Sequence, residues 1–242
     1  GTVSNTGTLS SLVNAGSIGG LSNNGSLVSL SNSGTLSGLV QAGGVLTGLT
    51  NSGLINGATG VGVVGGTLSN LTNTGSIVGS GMGVVVASGA SLTGLSNLGY
   101  ISGLNNAGVV TSLVNSGSIA SLGNSGVLSS LVNNSVAGSI SNTGTIGSLV
   151  NVGAVTNGVT NAGLIGGSAV AITASGSTIT LNNQLAGTVV GAINGTVNVS
   201  NSGLIALQSA YNGMTFAGSP VAATITGNYV QATSGTLQIA MN

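Results

Sequence analysis

The chain has 242 residues, 41% of them hydrophobic and 46 of them glycine, and contains no Lys, Arg, Asp, Glu, His or Cys. General acids and bases, metal ligands, thiolate nucleophiles, disulfides and the cations that bind phosphate backbones or anionic lipid are all missing. No catalytic residue, cofactor, metal or nucleic-acid partner is therefore expected.

Direct membrane insertion by this segment is not expected either. The mean hydropathy of +0.61 comes from aliphatics interrupted every two or three positions. The densest run, Gly83 to Ala87, is far short of the ~20 apolar residues of a spanning helix. Gly1 to Asn5 lack the basic start and apolar stretch of a signal peptide and already carry the repeat described next, as in an excised piece of a longer protein.

From its start the chain repeats Asn-x-Gly at a period of nine: Asn5, Asn14, Asn23 and Asn32, then a Gln41 variant, and Asn51 after one extra residue. The spacing lengthens to Asn73 and Asn97. It returns to nine through Asn106, Asn115, Asn124, Asn133, Asn142 and Asn151, and Asn161 follows a second insertion. A short fixed period marks a chain that stacks on itself. Calcium-binding rolls of the same period need Asp ligands, and none exist.

The unit reads Leu-x-Asn-x-Gly-x-Ile/Leu and then two small residues, as in Leu12 to Ile18 followed by Gly19-Gly20. Its first seven positions alternate as in a two-faced strand. The small pairs Gly19-Gly20, Val28-Ser29, Ser37-Gly38, Thr111-Ser112, Ala120-Ser121 and Ser129-Ser130 suit corners. Helix is disfavoured by this density of Gly, Val, Ile and Thr, and disorder by the aliphatic content. Leu12, Leu21, Leu30 and Leu39, with Ile18, Leu27 and Leu36, are expected inside. Ser31, Ser33, Thr35, Val13, Ala15 and Ser17 are expected outside.

The expected fold is all-β, a parallel β-helix or β-solenoid. The Gly serves either a bend with positive φ or the room opposite a bulky neighbour. The recurring Asn and Gln41 form either a ladder of side-chain amides between coils or a turn residue tolerant of left-handed φ. A coil holds two repeats in a flattened roll or three in a triangular helix. The longer stretches at about 51–97 favour three strands per coil and so the three-sided, triangular form: Ile55 or Ile77, then Val61 to Val64 or Val84 to Val86, then Leu68 to Leu71 or Leu92 to Leu95.

From Gly166 the period gives way to longer strands, with a last Asn201-Ser-Gly203 and with Tyr211, Phe216, Pro220 and Tyr229. Residues 1–165 are read as regular repeats and 166–242 as irregular final coils and a cap. Two motifs mislead. Gly60-Val-Gly62-Val-Val-Gly65 satisfies a dinucleotide fingerprint without a following helix or acidic residue, and the glycosylation triplets at Asn24, Asn70, Asn133, Asn194 and Asn198 arise readily by chance in this composition.

Asn73-Thr-Gly-Ser-Ile77, followed by Gly81-Met-Gly-Val-Val-Val86, Gly89-Ala-Ser-Leu92 and Asn97-Leu-Gly99, resembles passenger domains of bacterial autotransporters. So does the C-terminal Asn228-Tyr229-Val230-Gln231 segment with Gly235-Thr-Leu237-Gln-Ile239. The resemblance covers most of the chain. It implies a right-handed parallel β-helix at the surface of a Gram-negative bacterium or secreted from it, with a membrane barrel in the full-length protein after Asn242. The neutral surface then reads as an adhesin or self-associating fibre in contact with its own copies or a host cell surface. An inert stalk, a phage or secreted fibre, and an ice-binding or carbohydrate-binding solenoid are the alternatives.

Overall fold

A computed structural model describes residues 1–211 and 216–239, and these are all-β, without helix. The expectations that fall on 212–215 and 240–242, among them the end of the cap and Asn242, lie outside the described residues, as do the side chains of Tyr211 and Phe216. The chain forms two compact units, Gly1–Leu122 and Gly123–Asn242, and in each parallel strands stack in register as a β-solenoid.

In the first unit Thr8–Asn14 lies on Ser26–Asn32, which lies on Val45–Asn51, Thr67–Asn73, Ser91–Asn97 and Val109–Asn115 in turn. Asn14 meets Asn32 across 18 residues, so two repeats close one coil, and the three-repeat coil is corrected. The longer coils run 22 residues from Asn51 to Asn73 and 24 from Asn73 to Asn97. Their extra residues sit in connections, leaving strands such as Thr59–Val63 and Met82–Val86 in register with Leu39–Gln41 and Leu104–Asn106.

In the first unit each coil carries three strand segments, as in Gly20–Asn23, Ser26–Asn32 and Thr35–Leu36. The seven-position strand expected across Asn-x-Gly does not form. The strand stops at Asn, because the two amides after it converge on one carbonyl of the coil before: Ser33 N and Gly34 N both donate to Asn14 O, at 2.9 and 3.1 Å. The corner reading of the small pairs is also corrected in part. Val28-Ser29, Thr111-Ser112 and Ser129-Ser130 lie inside continuous strands, whereas Gly19-Gly20, Ser37-Gly38 and Ala120-Ser121 interrupt them. Among these six, interrupting pairs alternate with continuous ones.

Stacking gathers the aliphatics into columns, such as Leu30, Leu49, Leu71, Leu95 and Leu113, all at most 2% exposed. Each contributes roughly 1.5–3 kcal/mol relative to exposure. Leu12 and Ile18, in the first coil, are only half-buried.

In the second unit the nine-residue register continues through Leu149–Asn151 and Val159–Asn161 and then gives way to the long strands Leu164–Asn183 and Thr188–Asn201. These pair with register shifts near Gly166, Val170 and Ala174. An antiparallel hairpin, Gln208–Tyr211 with Phe216–Pro220, interrupts the coil. The chain then resumes parallel stacking, with Tyr229–Gln231 on Val199–Asn201 and Thr236–Gln238 on Leu204–Ala206. The Asn-Tyr-Val-Gln segment is thus one more rung.

Candidate functional site

Because a coil holds two repeats, the motif residues divide into two columns in each unit. In the first unit one column is Asn14, Asn32, Asn51, Asn73, Asn97 and Asn115, each Nδ2 donating to the Oδ1 of the next at 2.7–2.8 Å. The other begins Asn5, Asn23 and Gln41 with bonds of 2.7 Å. Val63 and Val86 then occupy its rungs, and Asn106 stands in register after them, its Oδ1 accepting from Gly108 N.

In the second unit Asn124, Asn142, Asn161, Asn183 and Asn201 form one column at 2.8 Å, and Asn201 donates to Gln231 Oε1 at 3.1 Å. Asn133 donates to Asn151 at 2.8 Å, after which Ala174 and Gly195 take the rungs. Asn183 and Gln231 escape the motif because insertions follow them: Asn183 bonds Gly187 O four residues on, where the motif places its Gly two residues on.

The Asn carboxamide bonds from coil to coil and within its own bend at once. Asn73 Nδ2 bonds Asn97 Oδ1, Gly75 O in its own bend and Tyr100 O in the next coil. The left-handed alternative is overturned, since no described non-Gly residue has positive φ. The motif Gly likewise owes its identity to space. A Cβ on Gly34, Gly53, Gly75 or Gly99 would overlap the carbonyl oxygen of the motif Gly one coil earlier, so the close neighbour is backbone, not the bulky side chain expected. Ser135 replaces Gly in the Asn133 motif.

These columns are sealed inside and offer no surface chemistry. The outer strand positions do: in the first unit Val13, Ser31, Thr50, Thr72, Ser96 and Val114 stand in one row, and Thr8, Ser26, Val45, Thr67, Ser91 and Val109 in another. Strands ~4.8 Å apart make these rows of hydroxyl and methyl groups without a titratable side chain. Beside them Leu98 and Tyr100 are exposed at one bend.

The misleading motifs resolve simply. Gly60 to Gly65 run through the strand Thr59–Val63 and its exit. Asn133 is buried in a column, and the Oδ1 atoms of Asn194 and Asn198 accept from Thr224 N and Asn228 N.

Tyr229 closes the last column with Asn201 and Gln231. Burial raises its pKa above the ordinary tyrosine value of about 10, and the Asn201 bond opposes that rise. A raised pKa in the folded state favours the neutral phenol, so the stability it adds is present below about pH 10 and lost above it. With no other titratable side chains than the tyrosines, the thermal midpoint is expected to stay level from about pH 5 to about pH 9 and to fall above about pH 10. Circular dichroism melts across pH check this, with Tyr229→Phe reducing the alkaline fall.

No family model, curated protein or solved structure matches the chain.

Proposed function

We propose that the chain is a non-catalytic structural protein of the cell surface or extracellular space, of the autotransporter-passenger type that its repeats resemble. Its outer faces act as an adhesin, joining copies of the chain to one another or to a host cell surface. A right-handed winding, the hand of nearly all parallel crossovers, belongs to the same reading, as does a membrane barrel elsewhere in the full-length protein.

The observation that carries the proposal is the neutral outer row Val13, Ser31, Thr50, Thr72, Ser96 and Val114, where in-register stacking repeats hydroxyl and methyl groups with no charge between them. Surfaces that carry net charge resist association by self-repulsion, and this one has none to oppose contact. The absence of His, Asp, Glu, Lys and Cys leaves its many hydroxyls without the usual activating bases, which supports a non-catalytic role.

Sedimentation velocity over a concentration series in low and in high sodium chloride tests this. Self-association that survives high salt is expected, because no ion pairs exist to be screened. Association that disappears in high salt, or a monomer at every concentration that also leaves cells unbound, contradicts it and favours an inert stalk.

A further inference from the structure

Among the described side chains, one buried polar atom has no hydrogen-bond partner: Asn56 Oδ1. Such an atom calls for an explanation, because burial without a partner carries the full desolvation cost. Asn56 precedes Gly57 in the connection between Leu54–Ile55 and Thr59–Val63. Gly57 is exposed, and its N–H makes no hydrogen bond, although its carbonyl accepts from Ser80 N at 2.9 Å. An Asn carboxamide without bonds thus stands next to a free amide that has no side chain to hinder approach.

We infer that Asn56-Gly57 is a site of spontaneous covalent modification, converting to aspartate and isoaspartate through a cyclic imide. Base removes the Gly57 amide proton, and the nitrogen attacks Asn56 Cγ. The N–Cγ bond forms, the Cγ–Nδ2 bond breaks, and ammonia leaves with a proton. Water then opens the ring. Attack at Cγ gives aspartate, and attack at the Asn56 backbone carbonyl carbon gives isoaspartate, with the main chain rerouted through the former side chain. No oxidant or enzyme is needed, and a chain whose formal net charge is zero acquires its first carboxylate side chain.

The other described Asn-Gly pairs are engaged. Gly25 N donates to Asn5 O at 3.1 Å, Gly158 N to Val155 O at 3.4 Å, and Asn194 Oδ1 accepts from Thr224 N at 3.1 Å. These bonds occupy either the attacking nitrogen or the carboxamide and hold the neighbours apart from reaction.

The test is incubation of the folded protein at mildly alkaline pH, followed by peptide mapping with mass spectrometry and enzymatic labelling of isoaspartate. The expected result is modification at Asn56 ahead of Asn24, Asn157 and Asn194. The same incubation in denaturant is expected to remove that order, because the bonds that protect the other pairs are gone. Asn56→Gln is expected to abolish the early anion-exchange species. Modification of Asn157 or Asn24 before Asn56 in the folded protein, or an unchanged order in denaturant, overturns the inference.

Discussion

Replacing Asn73 with alanine lowers the unfolding free energy by at least about 1–3 kcal/mol, the cost of a buried group left without a partner. Asn73 is fully buried and accepts from Asn51 Nδ2 while donating to Asn97 Oδ1, both at 2.8 Å. Truncation leaves the Asn97 Oδ1 acceptor without this donor, takes one bond from Asn51 Nδ2, which keeps Gly53 O and Ser76 O, and strips Gly75 O and Tyr100 O of a bond. Thr72→Ala, one residue away and facing outward, is the control, with an expected change within about 0.5 kcal/mol. Denaturant titration of both variants gives the comparison. Equal effects at Asn73 and Thr72 would mean that the carboxamides contribute nothing beyond a bend.

Gly75→Ala is expected to cost about 3 kcal/mol, the upper end for overpacking. An added Cβ would overlap the Gly53 carbonyl oxygen and lie 2.7 Å from Ser52 C, both backbone and unable to rotate away. Relief requires the coils to separate, which breaks the Thr74 N and Gly75 N bonds to Asn51 O at 2.8 and 3.1 Å. Gly48→Ala provides the opposite case. Its Cβ would meet only Val28 O at 3.7 Å, and it lies within the strand Val45–Asn51. Removing a strand glycine's entropy cost there is worth about 0.5–1 kcal/mol of added stability. Two glycines in neighbouring coils thus respond with opposite sign, and thermal melts of the two variants distinguish stacking contact from chain flexibility.

The inward columns were legible in the sequence because Leu30, Leu49 and Leu71 recur at fixed offsets from the motif, and only a stacked fold rewards that pattern. Coil length was not legible from the period alone, since two or three repeats have the same nine-residue spacing. The signal that separates them is finer. Gly20 and Gly38 recur two repeats apart with positive φ, at the breaks, while Val28-Ser29 between them runs through a strand. Asn183 and Gln231 were hidden by insertions that displace the following glycine, and the apolar rungs Val63 and Val86 were hidden because an aliphatic carries no trace of its register. The outer faces could be read as neutral but not as specific, because Ser, Thr and Val at a sheet surface fit many partners.

The solenoid is held by carboxamides stacked coil over coil at a separation of two repeats. Nuclear Overhauser contacts of the Asn side-chain amide protons measure this most directly. The Nδ2 protons of Asn51 are expected to lie close to the protons of Asn73 and Ser76 and to exchange slowly with water. Contacts linking motifs three repeats apart, an antiparallel pattern, or rapid exchange of the column amides would contradict it.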